Sequence, residues 1–149
     1  MPHFTLAVDP SRGPIVNAGI GVSEGRRMAI RAANQTVPNV RNCRALIDTG
    51  ASHTSVDPAT LADLGLTPTG TIDIVTPSTG NDVHTADTYD VDFFLGASPQ
   101  DVILAIPNLQ IASAELFLMQ GIHVLIGRDI LSRCLFTYNG TTGMFTLAY

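Results

Sequence analysis

Short apolar runs, many of them alternating with polar residues, follow one another along almost the whole chain. Apolar runs and alternation of this kind, over about four to eight residues, are typical of β-strands. The pattern predicts strands at residues 4–8, 15–22, 28–33, 43–47, 71–76, 83–95, 102–106, 109–118, 121–127, 134–138 and 144–149. It therefore favours an all-β fold.

Segments rich in glycine, proline and small polar residues join three pairs of these runs. Residues 9–14 connect the first two strands, residues 77–82 connect 71–76 with 83–95, and residues 139–143 connect the last two. Such connections are typical of antiparallel hairpins. The sequence thus predicts three hairpins, the middle one long and with a small polar tip.

One segment carries the signals of a helix. Asp57 is a suitable N-cap, Pro58 fits the first helical position, and Gly65 can end the helix. These signals predict a two-turn helix over 58–64 with Leu61 and Leu64 facing the core, and a short helical turn is predicted at 128–132.

Composition narrows the function classes. The chain has 149 residues, 14% of them charged, with a net charge of −5 and no basic stripe, so we expect no nucleic-acid partner. No apolar run approaches the roughly 18 residues that span a bilayer, and no signal peptide is evident, so we expect no membrane association. Cys43 and Cys134 are expected to be unpaired thiols, which predicts a cytoplasmic protein.

The chemistry concentrates at residues 45–52, Ala-Leu-Ile-Asp-Thr-Gly-Ala-Ser. Asp48 directly follows the apolar end of a strand, where a carboxylate without partners costs several kcal/mol. Thr49 offers a hydroxyl, and Gly50 permits a tight turn that brings backbone N–H groups near the carboxylate. We therefore interpret Asp48 as a placed functional acid.

Four features stand in a familiar order: the segment 45–52, the helix ending at residues 64–66, the hairpin over 71–95, and the apolar-Gly-Arg-Asp segment at 125–131. In this order the chain resembles the retropepsin-like aspartic proteases, single-lobed relatives of retroviral protease and pepsin. The resemblance implies one domain over 1–149, a closed β-barrel with one or two short helices and a hairpin flap, and peptide-bond hydrolysis without a cofactor or metal.

The resemblance also implies a role for each matching residue. Asp48 is the catalytic aspartate, Thr49 locks the two catalytic loops across a dimer, and Gly50 lies close to the substrate backbone. The remaining residues divide into a substrate-binding set and a set that supports the catalytic loop. These are Ala51, Ser52, Pro77, Ser78, Thr79 and Gly80 for substrate, and Ile126, Gly127 and Arg128 for support.

Two departures from the family pattern have consequences. Ser52 and His53 stand where viral enzymes have acidic residues that engage the helix arginine, so Arg128 lacks that partner. Ala51 replaces the serine that pepsin-like enzymes often have there, whose hydroxyl can stabilise the ionised aspartate. Because a methyl group cannot do this, we expect a less acidic working range than that of pepsin.

Hydrolysis by an aspartic dyad needs two carboxylates that share one proton. The chain has one Asp-Thr-Gly, and Asp57, Asp63 and Asp129 lack the Thr/Ser-Gly that would follow a second catalytic aspartate. The second carboxylate must then come from Asp48 of another copy, which predicts a symmetric homodimer.

Two other functions are compatible with parts of the sequence. A retropepsin-like module for dimerisation or peptide binding, with little turnover, would use the same fold. Asp-Thr-Gly also occurs in the phosphate loops of actin-like sugar kinases, but this chain is too short for their two domains and has no second phosphate motif.

Overall fold

The computed structural model describes residues 1–74, 83–96, 102–116 and 121–149. Strands dominate these ranges, with three helices among them. The strands are β1 (His3–Ala7), β2 (Ile15–Val22), β3 (Arg41–Ile47), β4 (Ser55–Val56), β5 (Gly70–Ile74), β6 (His84–Leu95), β7 (Leu104–Ser113), β8 (Val124–Ile126), β9 (Leu135–Asn139) and β10 (Met144–Ala148). The helices are α1 (Glu24–Ala32), α2 (Pro58–Asp63) and α3 (Arg128–Leu131).

Six strands close into a barrel. Their hydrogen-bonded order is β2-β3-β8-β4-β7-β6, and β6 pairs back with β2. Strand β5 lies outside this ring, and its one partner among the described strands is β6. The predicted closed β-barrel is confirmed.

The barrel interior is filled by alternate residues of its strands, as the period of two requires. Strands β2 and β3 pair antiparallel, and their buried side chains face the same core. From these two strands the core takes Val16, Ala18, Ile20, Cys43, Ala45 and Ile47. This places the last apolar residue of β3, Ile47, inside the barrel directly before Asp48.

The remaining three strands form a second sheet in the order β1-β10-β9. The predicted hairpin between residues 4–8 and 15–22 is therefore wrong, since β1 pairs with β10 and β2 pairs with β3. The connection closes on itself instead, because the Asp9 carboxylate accepts hydrogen bonds from the backbone N–H groups of Ser11 and Arg12. The turn residues predict this local turn, but they do not predict that β1 pairs with a strand at the other end of the chain.

The predicted strand at residues 28–33 is also wrong, because the segment belongs to α1. Ile30 is the buried residue of this helix, and Met28 is exposed. An ion pair between Arg27 and Asp92, with Nη1 and Oδ2 2.8 Å apart, ties the helix to β6. The apolar run resembles a strand only when the charged residues around it are ignored.

The two predicted strands at 102–106 and 109–118 are one strand, β7. Asn108 has a φ of +52° and interrupts the regular geometry where the register with β6 shifts. Its N–H donates to the buried Asp92 carboxylate at 2.9 Å. The residues that suggest a turn between the two predicted strands thus form a β-bulge, and the strand continues beyond it.

Other predicted elements are confirmed. In α2 the Asp57 side chain accepts a hydrogen bond from the Ala59 N–H at 2.8 Å, and Gly65 ends the helix with a φ of +62°. Strands β5 and β6 pair as predicted, as do β9 and β10. The tip of the long hairpin, residues 77–82, lies outside the described residues.

Both cysteines are free, Cys43 buried and Cys134 half-buried. No helix in the described ranges is long and apolar enough to cross a membrane.

Candidate active site

The candidate catalytic loop, residues 48–54, begins where β3 leaves the barrel. Strand β3 pairs in parallel with β8, with Ile47 opposite Ile126, and the Asp48 N–H donates to the Ile126 carbonyl at 3.0 Å. The backbone of Asp48 is therefore fixed to the neighbouring strand. Its side chain is half-buried, at the margin between the core and solvent.

The Asp48 carboxylate has a single hydrogen-bond donor among the described residues. The Gly50 N–H donates to Oδ1 at 2.9 Å, and the Ala51 N–H donates to the Asp48 carbonyl at 3.2 Å. A Cβ atom on Gly50 would lie 3.1 Å from Oδ1, so the glycine allows the backbone to approach the carboxylate closely. The expected tight turn is present, and of the expected donors the Gly50 N–H is the one that bonds the carboxylate among the described residues.

Arg128 lies against the same loop in the same chain. Its Nη1 donates to the carbonyls of Thr49 and Gly50, each at 3.0 Å, and its N–H donates to the Ala51 carbonyl at 2.9 Å. In place of an acidic partner, this arginine thus has the backbone of the candidate catalytic loop. The structure brings together the predicted catalytic residues and the predicted supporting residues.

Gly127 lies where two chain segments cross. A Cβ atom at this position would lie 2.5 Å from the carbonyl carbon of His53 and 2.9 Å from the Thr54 nitrogen. No side chain fits between these segments. The glycine after β8 is therefore required by the close approach of residues 53 and 54, which end the candidate catalytic loop.

Asp129 and Thr54 form a contact that the sequence analysis misses. The Thr54 N–H donates to Oδ2 of Asp129 and the Thr54 hydroxyl donates to Oδ1, both at 2.8 Å. In the sequence, Asp129 stands out only because it lacks the Thr/Ser-Gly that would follow a second catalytic aspartate. Asp129 lies in the first turn of α3, where an acidic residue is favourable, but its partner is 75 residues away and has no local signature.

The other predicted substrate-binding residues are placed only in part. Ala51 is half-buried and Ser52 is exposed, with its Oγ 3.2 Å from Nδ1 of the exposed His53. Pro77, Ser78, Thr79 and Gly80 lie outside the described residues. The last described pair before this hairpin tip is Ile74 with His84.

Among the described residues, no group of three or more His, Cys, Asp or Glu side chains could hold a metal ion. The Asp48 carboxylate accepts one hydrogen bond in these ranges, so most of its lone pairs are available. Such a group can accept a proton from water or donate one when protonated.

Comparison with solved structures shows a similar fold. A retropepsin-like aspartic protease from Rickettsia conorii matches with a TM-score of 0.61 and 17% sequence identity, over 99% of this chain and 90% of that one. The barrel, the short helices and the paired strands described above thus form a retropepsin-like fold. No match is found among curated proteins.

Comparison with family models gives the family. The aspartyl protease model matches residues 19–130, which begin in β2 and end in α3. The matched range contains Asp48 and the segment that holds its loop. The chain belongs to the aspartyl protease family.

Proposed function

We propose that the chain is a single protease domain over residues 1–149 and works as a symmetric homodimer that hydrolyses internal peptide bonds. The observation that carries this proposal is the half-buried Asp48 carboxylate, which has one N–H donor among the described residues, in a chain with one Asp-Thr-Gly motif. Each chain would supply one Asp48, and Thr49 would contact its counterpart across the two-fold axis.

The chemistry follows from two carboxylates about 3 Å apart, which cannot both be ionised without strong repulsion. The ionised Asp48 would take a proton from a water molecule while the water oxygen attacks the peptide carbonyl carbon. The protonated Asp48 would donate its proton to the carbonyl oxygen. Both groups then act as one pair, with two apparent pKa values that belong to the pair.

The proposed substrate is an extended, mainly apolar peptide segment. The hairpin of β5 and β6, with its tip at residues 77–80, would cover the peptide as a flap, and Ala51 and Ser52 would contact it from the catalytic loop. An extended peptide binds such surfaces by main-chain hydrogen bonds, with alternate side chains in pockets. No cofactor or metal has a part in this reaction.

The free thiols of Cys43 and Cys134 support the proposal of a cytoplasmic enzyme, because reducing compartments keep thiols unpaired.

The test compares the wild type with Asp48→Asn, which keeps an oxygen that can accept the Gly50 hydrogen bond. We expect wild-type cleavage of a peptide library and a loss of about 10³-fold or more in the variant, since acid–base groups contribute about 10²–10⁴-fold. Sedimentation should show dimers of both proteins.

Mixing the two proteins tests the shared site. If chains exchange at random, a ninefold excess of Asp48→Asn should lower the activity per wild-type chain to about one tenth, because a dimer needs two aspartates. Activity that is insensitive to the excess would show that one chain suffices. Peptide binding by both proteins without cleavage would favour a binding module instead.

A further inference from the structure

Residues 126–129 contact the catalytic loop at its beginning, middle and end. The Ile126 carbonyl accepts from the Asp48 N–H, the Arg128 N–H donates to the Ala51 carbonyl, and the Asp129 carboxylate accepts from Thr54. The first two contacts are between backbone atoms. The contact at the end of the loop depends on a side chain, the carboxylate of Asp129.

The Asp129 carboxylate is saturated by these bonds. It accepts three hydrogen bonds, from the Thr54 N–H and hydroxyl at 2.8 Å each and from the Ile130 N–H at 2.9 Å. Hydrogen bonds to a charged group are shorter and stronger than those between neutral groups. Asp129 thus fixes the N-terminus of α3 and the end of the catalytic loop to each other.

The polar atoms of Thr54 are also fully hydrogen-bonded. It is completely buried, and its carbonyl accepts from the Ala112 N–H at 3.0 Å. Its hydroxyl oxygen accepts from the Gly127 N–H at 3.1 Å. Because that N–H occupies the oxygen as an acceptor, the hydroxyl proton points to Asp129. Each polar atom of Thr54 therefore has a partner, and the residue can occupy one position only.

We propose that Asp129 is a positioning residue for the catalytic aspartate: through Thr54 it fixes the end of the loop that carries Asp48. This inference rests on the proposed function. Two copies of Asp48 must lie within about 3 Å to share a proton, and the two-fold axis applies any shift of the loop in both chains. Misplacement of reacting groups by about 1 Å can cost about 10²-fold in rate.

The test uses Asp129→Asn and Thr54→Val, both close in shape to the wild type. Each removes part of the contact, and Thr54→Ser should retain wild-type activity because it keeps the hydroxyl. We expect kcat to fall about tenfold to a hundredfold in the first two variants, with KM changed by less than about twofold. The two apparent pKa values of the kcat/KM profile should move closer together, since more distant carboxylates interact less.

Asp92→Asn is the matched control. Asp92 is also a buried carboxylate that accepts a backbone N–H, but its partners are Arg27 and Asn108, away from the catalytic loop. This variant should lose stability without a change in either apparent pKa. If Asp129→Asn and Thr54→Val lose stability like Asp92→Asn but keep its kcat and its pH profile, Asp129 is merely structural and the proposal is wrong.

Amide hydrogen exchange separates this inference from the proposed function. In Asp129→Asn, the N–H groups of Gly50, Ala51 and Thr54 should exchange faster than in the wild type, whereas Asp92→Asn should leave them unchanged. If the wild type fails to cleave any peptide, the proposed function is wrong and so is a catalytic consequence of Asp129. Unchanged exchange in Asp129→Asn would overturn the positioning role even in an active enzyme.

Discussion

The ends of β3 and β8 are two versions of the same local structure with opposite outcomes. The strands are parallel neighbours, and each ends in an isoleucine. Asp48 comes directly after Ile47, and Asp129 comes three residues after Ile126. Asp48 accepts one hydrogen bond in the described part of the chain and stays half-buried. Asp129 accepts three. The number of donors, rather than the residue type, distinguishes a carboxylate available for chemistry from one that is fixed.

The glycines at these two strand ends differ in the same way. A Cβ atom on Gly50 would meet the carboxylate of its own loop at 3.1 Å, whereas one on Gly127 would meet the backbone of His53 at 2.5 Å. A carboxylate can rotate away, but the backbone of a packed segment cannot. The end of β3 therefore has room to adjust, and the end of β8 has none.

The largest expected effect is that of Gly127→Ala. The new methyl group would overlap the His53 carbonyl, and the free energy of unfolding should fall by about 3 kcal/mol or more. Gly50→Ala should cost less, about 1 kcal/mol, and act mainly on activity. Urea unfolding of both variants measures the difference.

Gly25→Ala is the control for this pair. Gly25 lies in α1, and a Cβ atom there would have no neighbour within 4 Å. Alanine should therefore stabilise the protein by about 0.5–1 kcal/mol through its helix propensity. If Gly127→Ala were as stable as Gly50→Ala, the end of β8 would not be the rigid one and the comparison would fail.

The contrast also explains what the sequence could predict. Asp48, Gly50 and α2 have local signals: an acid after an apolar run, a glycine two residues later, and a cap followed by proline. Such signals depend on a few neighbouring residues. They identified the candidate catalytic loop and the segment that holds it.

Apart from the predicted strand at 28–33, which lies in α1, the differences between prediction and structure share one physical cause: each depends on a distant partner. Strand β1 finds β10 at the other end of the chain, and Asp129 finds Thr54 75 residues away. The bulge between β6 and β7 depends on the hydrogen bond from Asn108 to the Asp92 carboxylate, and these residues are 16 positions apart. Tertiary contacts of this kind leave no periodic pattern in the sequence, so the saturation of Asp129 was visible only in the structure.

A second prediction compares the thiols of the two regions. Burial raises the pKa of the Cys43 thiol in β3 to about 11, with Arg41 opposing it, and burial also raises the pKa of Cys134 after α3. In the unfolded chain a thiol ionises near about pH 8.5–9. As the pH rises, the Cys43 thiol therefore ionises in the unfolded state before it ionises in the native state. Its contribution to the free energy of unfolding is fully present below about pH 8.5–9 and is lost as the pH rises further.

Between about pH 9 and pH 11 the free energy of unfolding should fall by up to about 1.4 kcal/mol per pH unit from this thiol. Denaturant unfolding across that range measures the slope. Cys43→Ala should flatten it more than Cys134→Ala, because Cys43 is the more buried of the two. Equal slopes in the two variants would show that the β3 core is no better shielded from water than the region after α3.

The smallest expected effect tests the donor argument at Asp48 itself. Ala51→Ser adds a hydroxyl within the candidate catalytic loop. It makes the surroundings of Asp48 more like those of Asp129. A hydrogen bond to an ionised group contributes about 1.5 kcal/mol at the lower end of its range, which corresponds to a lowering of the lower apparent pKa by about 1 unit. The acidic limb of the kcat/KM profile should move to lower pH by that amount. Ala62→Ser, at an exposed position of α2, is the matched control and should leave the limb in place. An unmoved limb in Ala51→Ser would mean that donors in the loop do not determine how readily Asp48 ionises, and the difference between the two strand ends would then concern rigidity alone.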